Sequence, residues 1–284
     1  MILIAESGST KTNWRGLLKD RSPVELPNTE GFNPEVVSDE AIFRALFNRF
    51  LPQLEALQLP AASAVFFYGA GCSSAPAQAR VKDVLTRVFP KATISVQHDL
   101  LAAARATAGD DPGVIAIMGT GSSACFFDGE AITEMHGEHG YLLDDLGGGV
   151  SLGRHLFRAW AEGELPESAA TRVEKHAGGA PLEFRNALYK AERPNAKLAN
   201  LVSALPVSDF PEVWAQLAPP CFEAFFEQTL GRFHERAPLH LIGSIAHHFQ
   251  AYIAPVAEQH GWQIASVVAA PIEGLVQYHR QHLP

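Results

Sequence analysis

Two short turns of small residues, one near the start of the chain and one near its middle, constrain the fold most. Residues 7–12 (SGSTKT) follow the apolar run 2–5, and residues 119–123 (GTGSS) follow the apolar run 114–118. A strand, a turn of small residues and a second strand predict a β-hairpin whose tip carries little side-chain bulk. Because one such hairpin opens each half of the chain, the sequence predicts a duplicated fold.

The tips of these hairpins suit an anionic ligand. Backbone amides at a tight glycine-containing turn can converge on an anion, and Ser and Thr hydroxyls add further donors. The pair therefore favours a polyphosphate held from two sides, although a glycine-rich hairpin is also a common structural turn. A Walker A loop is excluded at the first turn, because no glycine directly precedes Lys11.

Composition narrows the class of protein. The chain has 284 residues, enough for two domains, and a formal net charge of −9. That charge, without any Lys/Arg-rich run, argues against nucleic acid and anionic membranes as partners. The apolar run at residues 2–5 is too short for a signal peptide or a membrane span. Three widely spaced cysteines, Cys72, Cys125 and Cys221, predict a reduced, cytoplasmic protein.

Hydrophobic periodicity predicts an α/β fold with two domains. The predicted elements are a long amphipathic helix around 43–57, strands at 64–67, 93–96, 239–242 and 263–268, and helices at 76–88, 99–107 and 274–281. Phenylalanines at 222, 225, 226 and 233 are expected in the core. The turn cluster 109–113 predicts domains at 1–110 and 111–273, with the C-terminal helix 274–284 packing back on the first.

Seven motifs in a fixed order carry a family resemblance. They are GSTKT at 8–12, GFNP at 31–34, YGAGC at 68–72, DLLAA at 99–103, GTGS at 119–122, the glycine-rich segment 140–153, and GSIA at 243–246. The set resembles the N-acetylglucosamine kinase and BadF/BadG/BcrA/BcrD ATPase family of the actin/hexokinase/Hsp70 superfamily, over nearly the whole chain. The resemblance implies two RNase H-like domains with a cleft between them, closing on ATP, Mg²⁺ and a sugar.

The same resemblance implies roles for individual residues. Nucleotide contacts would come from Gly8, Ser9, Thr10, Lys11, Thr120, Gly121, Ser122, Gly243 and Ser244. Glu6 would hold Mg²⁺ through water, since magnesium accepts one or two carboxylates plus phosphate oxygens. Asp99 would be the general base for phosphoryl transfer, its alternative role being an ordinary helix N-cap. No role is implied for the neighbouring His98, which is expected to be structural.

Sugar contacts are implied for Asn33, His139, Gly140 and Asp145. An amide such as Asn33 suits a hydroxyl-rich ligand, although the same residue can simply form an Asx-turn. Relatives read Gly-Asp-Glu-Gly-Ser around Asp145, whereas here Asp144 replaces the glycine, Leu146 the glutamate and Gly148 the serine. Asp144 restoring the charge lost at Leu146 is one hypothesis. Asn13 departs too, because bacterial relatives often carry Asp there.

The resemblance predicts an ATP-dependent kinase acting on the 6-hydroxyl of an amino sugar, most simply N-acetylglucosamine. Homodimers are common in the family, but no residue of this chain indicates one. Two alternatives stay open at the level of the sequence. One is a sugar- or nucleotide-binding sensor without turnover, suggested by Asp144, Leu146 and Asn13. The other is a BadF-type ATPase activator, disfavoured because no cysteine has glycine-flanked iron–sulfur spacing.

Overall fold

The computed structural model describes residues 1–282, which form two compact units. Unit 1 contains Met1–Asp110 and the C-terminal segment that begins at Pro271; unit 2 is the continuous segment Asp111–Ala270. Residues 283 and 284 of the predicted C-terminal helix lie outside the described residues. No helix among residues 1–282 is both long enough and apolar enough to cross a membrane.

Unit 1 is built on a mixed sheet. Its strands are β1 (Ile2–Ser7), β2 (Lys11–Leu17), β3 (Pro23–Glu25), β4 (Thr29–Glu30), β5 (Ala64–Gly69) and β6 (Thr93–His98). The order is β3-β2-β1-β5-β6, with β4 also paired to β2. Strand β1 is antiparallel to β2 and parallel to β5, which is parallel to β6. Three carboxyl ends therefore meet at one edge of the sheet, with Ser7, Gly69 and His98 in register.

Helices cover both faces of this sheet. They are α1 (Asp39–Ala45), α2 (Leu51–Ala56), α3 (Ala75–Val88), α4 (Asp99–Thr107) and, from the C-terminal segment, α12 (Ile272–His282). One face packs Trp14 and Phe67 against the region of α1 to α3. On the other face, Ile4 and Tyr68 pack against α4 and α12. Because α12 completes one of the two faces, unit 1 needs both ends of the chain.

The long helix predicted around 43–57 is interrupted. Residues Leu46–Phe50 form a π-helical turn between α1 and α2. A π turn inserts an extra residue per turn and rotates the following side chains off the earlier face. Phe50 and Leu54 are buried, but Phe47 is 47% exposed and Leu57 48% exposed. A regular 3.6-residue pattern could not place those two side chains.

Unit 2 repeats the topology of unit 1. Its strands are β7 (Gly113–Met118), β8 (Ser122–Phe127), β9 (Ile132–His136), β10 (Leu239–Ile242) and β11 (Ile264–Val268), in the order β11-β10-β7-β8-β9. Reversed, the order becomes β9-β8-β7-β10-β11, which matches β3-β2-β1-β5-β6 of unit 1. Two antiparallel pairings are followed by two parallel ones in each sheet. The predicted α/β fold, duplicated with a hairpin opening each half, is confirmed.

The helices of unit 2 provide most of its core. They are α5 (Gly149–Ala161), α6 (Glu167–Ala177), α7 (Pro181–Tyr189), α8 (Pro194–Asn200), α9 (Pro211–Gln228), α10 (Ser244–His248) and α11 (Gln250–Gln259). The phenylalanines expected in the core, Phe222, Phe225, Phe226 and Phe233, are all buried. The predicted ends of two strands were wrong, because β5 and β6 each run two residues further than predicted.

Candidate functional site

The first hairpin turn of unit 1 is held closed and backed by a second loop. The amide of Gly8 donates to the carbonyl of Lys11 at 2.9 Å. Gly31 packs so closely behind this turn that a Cβ there would lie 2.3 Å from the Gly8 carbonyl oxygen. Thr10 and Lys11 remain exposed at the tip. The turn is therefore fixed from behind while its tip side chains face solvent.

A buried hydroxyl network ties the hairpin to the loop that contains Gly31. The Thr12 hydroxyl donates to the Glu30 carbonyl at 2.8 Å, and the Phe32 amide donates to the Ser7 hydroxyl at 2.9 Å. The two hydroxyls are 2.8 Å apart. Since the single hydroxyl proton of Thr12 is used on Glu30, Ser7 donates to Thr12. Neither Ser7 nor Thr12 was singled out in the sequence, because their partners lie in a separate loop.

Glu6 is a half-buried carboxylate near the end of β1. Asn13 lies opposite it on β2 and donates from Nδ2 to Oε2 at 2.7 Å. Burial raises the pKa of the Glu6 carboxyl to about 7, against the lowering effect of the Asn13 hydrogen bond. The negative charge of Asp99 raises this pKa further, and the positive charge of Lys11 lowers it. Asp99 and Lys11 therefore both act electrostatically on Glu6 within unit 1.

Asp99 stands where the strand β6 meets the helix α4. It is the first residue of the helix, and the N-cap is His98, so the alternative N-cap role for Asp99 was wrong. The Nε2 atom of His98 lies 3.1 Å from Oδ1 of Asp99, and the two side chains are only 11% and 17% exposed. The sequence did not reveal this contact, because neighbouring residues at a strand end ordinarily point away from each other.

Asn33 does form the Asx-turn considered from the sequence. Its Oδ1 accepts a hydrogen bond from the Glu35 amide at 2.9 Å. The amide group also fits against Gly71, where a Cβ would lie 2.0 Å from Oδ1. Within residues 1–282, Nδ2 of Asn33 donates to no other group. The oxygen of this side-chain amide is thus used within the loop, and its nitrogen can donate a hydrogen bond to a ligand.

The second hairpin turn, in unit 2, docks on the start of α5. The amides of Gly149 and Val150 donate to the carbonyls of Gly119 and Thr120 at 2.8 and 2.9 Å. A Cβ on Gly148 would lie 2.6 Å from the backbone of Gly121, so a glycine is needed at this approach. In the described part of the chain, the amides of Thr120 and Gly121 are not used by any hydrogen bond. Those two donors are available at the tip of the turn.

Asp145 lies against the same turn. It adopts a left-handed backbone conformation (φ +64°), and its Oδ1 accepts from the Ser122 amide at 3.0 Å. Burial raises the pKa of this carboxyl, the Ser122 hydrogen bond lowers it, and the charge of Asp144 raises it. The Ser122 hydroxyl donates to the Leu146 carbonyl at 2.6 Å. The Leu146 side chain packs on the hydrophobic core, so it is a packing residue.

Gly243 brings a third segment to the second turn. It has φ +117°, and a Cβ there would lie 2.3 Å from the Met118 carbonyl oxygen. Its amide donates to the Val268 carbonyl at 2.9 Å, and the exposed Ser244 begins α10 directly after it. The end of β10 and the second hairpin turn are therefore adjacent in unit 2.

His139 and Gly140 lie on an exposed loop. Gly140 has φ +77°, and its carbonyl accepts from the amides of Leu143 and Asp144. The side chains of Leu142 and Leu143 are 75% and 84% exposed. His139 and Gly140 are both exposed. This loop is thus the least constrained of the predicted binding segments.

Metal and cysteine chemistry are both limited by the side chains present. Among residues 1–282, no three His, Cys, Asp or Glu side chains group together as metal ligands. Magnesium held by one carboxylate, waters and phosphate oxygens would not need such a group, and Glu6 suits that arrangement.

Cys72, Cys125 and Cys221 are all buried. Burial raises the pKa of the Cys72 thiol to about 12 and of Cys221 to about 11, so neither is a ready thiolate ligand.

Comparison with known proteins places this geometry in a family. Neither a family model nor a curated protein matches the chain. A provisionally assigned N-acetylglucosamine kinase from Porphyromonas gingivalis is 33% identical, with a TM-score of 0.88 and 99% of each chain covered. One from Chromobacterium violaceum is 20% identical, with a TM-score of 0.68 and 98% of each chain covered.

A more distant structure is similar in fold alone. It is a ROK family glucokinase from Streptomyces griseus in complex with glucose and AMPPNP, 15% identical, with a TM-score of 0.57 and 97% of each chain covered. Together with the motif order, the full-length similarity to the P. gingivalis protein settles the family. The chain belongs to the N-acetylglucosamine kinase family of the actin/hexokinase-type ATPase superfamily.

Proposed function

We propose that this protein is an ATP-dependent sugar kinase that phosphorylates the 6-hydroxyl of N-acetylglucosamine. One observation carries the proposal beyond family membership. Asp99 follows β6 at the sheet edge where β1 also ends, and both Asp99 and the turn residue Lys11 act electrostatically on Glu6, all within unit 1. A candidate base, a candidate metal carboxylate and a phosphate-binding turn therefore share one region, as phosphoryl transfer requires.

The protein would accelerate phosphoryl transfer mainly by holding the substrates in place and by neutralising the charge of the phosphates. The turn residues Gly8, Ser9, Thr10 and Lys11 would hold phosphate oxygens through backbone amides, the Thr10 hydroxyl and the Lys11 ammonium. In unit 2, the unused amides of Thr120 and Gly121 would bind phosphate in the same way, and Ser122, whose amide and hydroxyl donate to Asp145 and Leu146, would hold the turn in shape beside them. Gly243 and Ser244 would lie along the adenosine. Their close packing on Met118 supports a preformed backbone surface.

Asp99 would accept the proton of the sugar 6-hydroxyl as its oxygen bonds to the γ-phosphorus. The bond between that phosphorus and the β,γ-bridging oxygen breaks, ADP leaves with the electron pair, and Asp99 later returns the proton to solvent. Glu6 would hold Mg²⁺ through water, and the metal would neutralise part of the phosphate charge. Asn13 fixes the carboxylate of Glu6 in one orientation through its 2.7 Å hydrogen bond.

Sugar recognition would rest on Asn33, His139, Gly140 and Asp145. The Nδ2 group of Asn33 and the second oxygen of Asp145 are the polar atoms best suited to sugar hydroxyls, because each residue is anchored by its other atom. Asp144 adds negative charge beside Asp145, which supports its proposed compensation for the carboxylate absent at Leu146. Asp144→Asn with unchanged sugar affinity and turnover would remove that idea.

The test is ADP release with Mg-ATP against glucosamine, N-acetylglucosamine, N-acetylmuramic acid, N-acetylmannosamine and glucose. We expect turnover with N-acetylglucosamine above the other sugars, and loss of at least about 100-fold in Asp99→Asn. Asp83→Asn, which removes an exposed carboxylate on α3, is the matched control and keeps full activity. Sugar binding by calorimetry without ADP release from any sugar would instead identify a sensor.

A further inference from the structure

The side chain of His98 is placed in an unusual way for the N-cap of a helix. Its backbone is extended (φ −70°, ψ 148°), as an N-cap requires, but its side chain makes no capping hydrogen bond to α4. The imidazole instead lies beside the next residue, with Nε2 at 3.1 Å from Oδ1 of Asp99. The helix therefore gives up a side-chain cap, and the imidazole is used on the carboxylate.

The surroundings make this contact important for Asp99. Its side chain is only 17% exposed, and it acts electrostatically on the half-buried Glu6 carboxyl. A carboxylate with little access to water needs hydrogen-bond donors to be held in its ionised form. An imidazole Nε2 carries such a donor in the neutral Nε2 tautomer and in the imidazolium alike, and the Nε2 atom of His98 lies 3.1 Å from Oδ1.

His98 is itself well anchored. It ends β6, in register with Gly69 of β5, which in turn pairs with Ser7 of β1. Its side chain is only 11% exposed. A residue whose backbone is held in a sheet and whose side chain is mostly buried can define the rotation of a neighbouring carboxylate more sharply than a mobile surface side chain could.

We propose that His98 is a positioning residue, whose Nε2–H group donates to Oδ1 and fixes the Asp99 carboxylate in the orientation that receives the sugar hydroxyl proton. The inference rests on the proposed kinase function. It assigns no proton transfer to His98, which keeps its Nε2 proton throughout. A purely structural role at the junction of β6 and α4 is the competing explanation.

The test compares variants that differ in where they place a donor. Glutamine can put its Nε2 amide near the position of the histidine Nε2, whereas the shorter asparagine amide cannot reach Oδ1. For sugar and ATP, we expect His98→Asn and His98→Ala to lower kcat about 10- to 100-fold with KM changed less than about 2-fold. His98→Gln should recover most of the lost kcat.

Two controls separate positioning from simple destabilisation. His260→Ala removes a histidine–carboxylate pair with Glu223 in unit 2, at 2.7 Å, and should leave kcat unchanged. In a double-mutant cycle, His98→Ala should add little to the loss already caused by Asp99→Asn, because both act through one carboxylate.

Several results would overturn the inference while leaving the kinase proposal intact. They are equal kcat in the wild type and His98→Asn, equal losses in His98→Gln and His98→Asn, or fully additive losses in the double mutant. The Gln and Asn variants keep the comparison valid even if His98→Ala fails to fold. If the kinase proposal itself is wrong, the wild type shows no turnover, so the two failures can be told apart.

Discussion

Glu6 illustrates, at the scale of single residues, how a functional group can work against stability. Burial raises the pKa of its carboxyl from 4.5 to about 7, so the folded protein holds the ionised form at a cost. The Asn13 amide recovers part of that cost through one 2.7 Å hydrogen bond. A residue that costs stability in the absence of ligand is expected at a site whose charge balance is completed only on binding.

Glu6→Gln should therefore be more stable than the wild type in EDTA at pH 8, by about 1 to 3 kcal/mol. The sign follows from linkage. A carboxyl whose pKa is raised in the folded state favours folding below its unfolded pKa, and that contribution is lost as the pH rises through about 7. The difference between variant and wild type should vanish below about pH 4.5. Urea unfolding at pH 4.5, 6 and 8 measures it.

The control for this prediction is Glu55→Gln, which alters an exposed carboxyl on α2 and should be neutral in stability at every pH. Glu6→Gln should also lose most kinase activity despite its higher stability. Equal stability of Glu6→Gln and wild type at pH 8 would contradict the burial argument.

The residues missed in the sequence share one physical property. Ser7, Thr12 and His98 act through contacts with a separate loop or a neighbouring residue, and none carries a distinctive motif on its own. Thr12 bonds to Glu30, 18 positions away, by a contact that depends on the folded loop. Motif residues such as Asp99 and Gly121 could be named in advance because they stand in motifs whose order resembles a known family. Their roles remain predictions.

At the scale of elements, the first hairpin shows how a turn with small side chains is held rigid. Ser7 and Thr12 flank the turn and tie both of its strands to the loop at Glu30 and Phe32. A phosphate-binding turn gains from such support, because donors already in place cost less entropy on binding. The rigidity comes from buried hydroxyls behind the tip, while Thr10 at the tip is exposed.

Thr12→Val should lower the free energy of unfolding by about 1 to 3 kcal/mol, because it leaves the Ser7 hydroxyl and the Glu30 carbonyl unsatisfied. Thr12→Ser, which keeps the hydroxyl, should recover most of this loss. Thr10→Val is the matched control at the exposed tip, with a change below about 0.5 kcal/mol but a higher KM for ATP. Equal unfolding midpoints for the two valine variants would show that the network adds no stability.

Within unit 1, the helix α12 contacts β5 and α4 through a buried polar cluster. The Tyr68 hydroxyl meets Nε2 of His279 at 3.0 Å and accepts from Arg105 at 2.8 Å. Burial, together with the nearby positive charge of Arg105, lowers the pKa of His279 to about 4. The imidazole is therefore neutral in the folded protein at pH 7.

This cluster should make unit 1 sensitive to acid. When folding lowers the pKa of a histidine, the free energy of unfolding decreases as the pH falls from 6.5 to about 4. The reason is that only the unfolded chain takes up the proton in this range. Between pH 7.5 and 4, the wild type should lose up to about 3 kcal/mol more than His279→Gln. Urea unfolding curves at both pH values test this.

His234→Gln, which replaces an exposed histidine of unit 2, should follow the wild type at both pH values. If His279→Gln and the wild type lost stability in parallel on acidification, the buried neutral imidazole could not be the cause. The contributions of the other titrating groups to the pH dependence cancel in this comparison, because the two proteins differ in only one side chain.

At the scale of the whole molecule, the chain is one topology used twice. Each unit begins with a hairpin whose first strand then pairs in parallel with a later strand. The alternation of apolar runs and turns predicted this, because hairpins and strand–helix units have different periods in the sequence. The short strands β3, β4 and β9 were not predicted, since two to five residues carry too little pattern.

Duplication matters for function because each unit contributes a turn of small residues with backbone donors. The turns differ in how they are supported, by hydroxyls in unit 1 and by the glycines Gly148 and Gly243 in unit 2. Each turn by itself offers donors to phosphate oxygens, which is one reason to propose ATP as a substrate.

The most direct test of the account is the identity of the product. Wild-type protein should convert N-acetylglucosamine and Mg-ATP into ADP and a sugar phosphate in equal amounts. Phosphorus–proton correlation by NMR should place the phosphate on oxygen 6, and Asp99→Asn should form product at least about 100-fold more slowly. ADP with inorganic phosphate and no sugar phosphate, or a phosphate on another oxygen, would contradict the account.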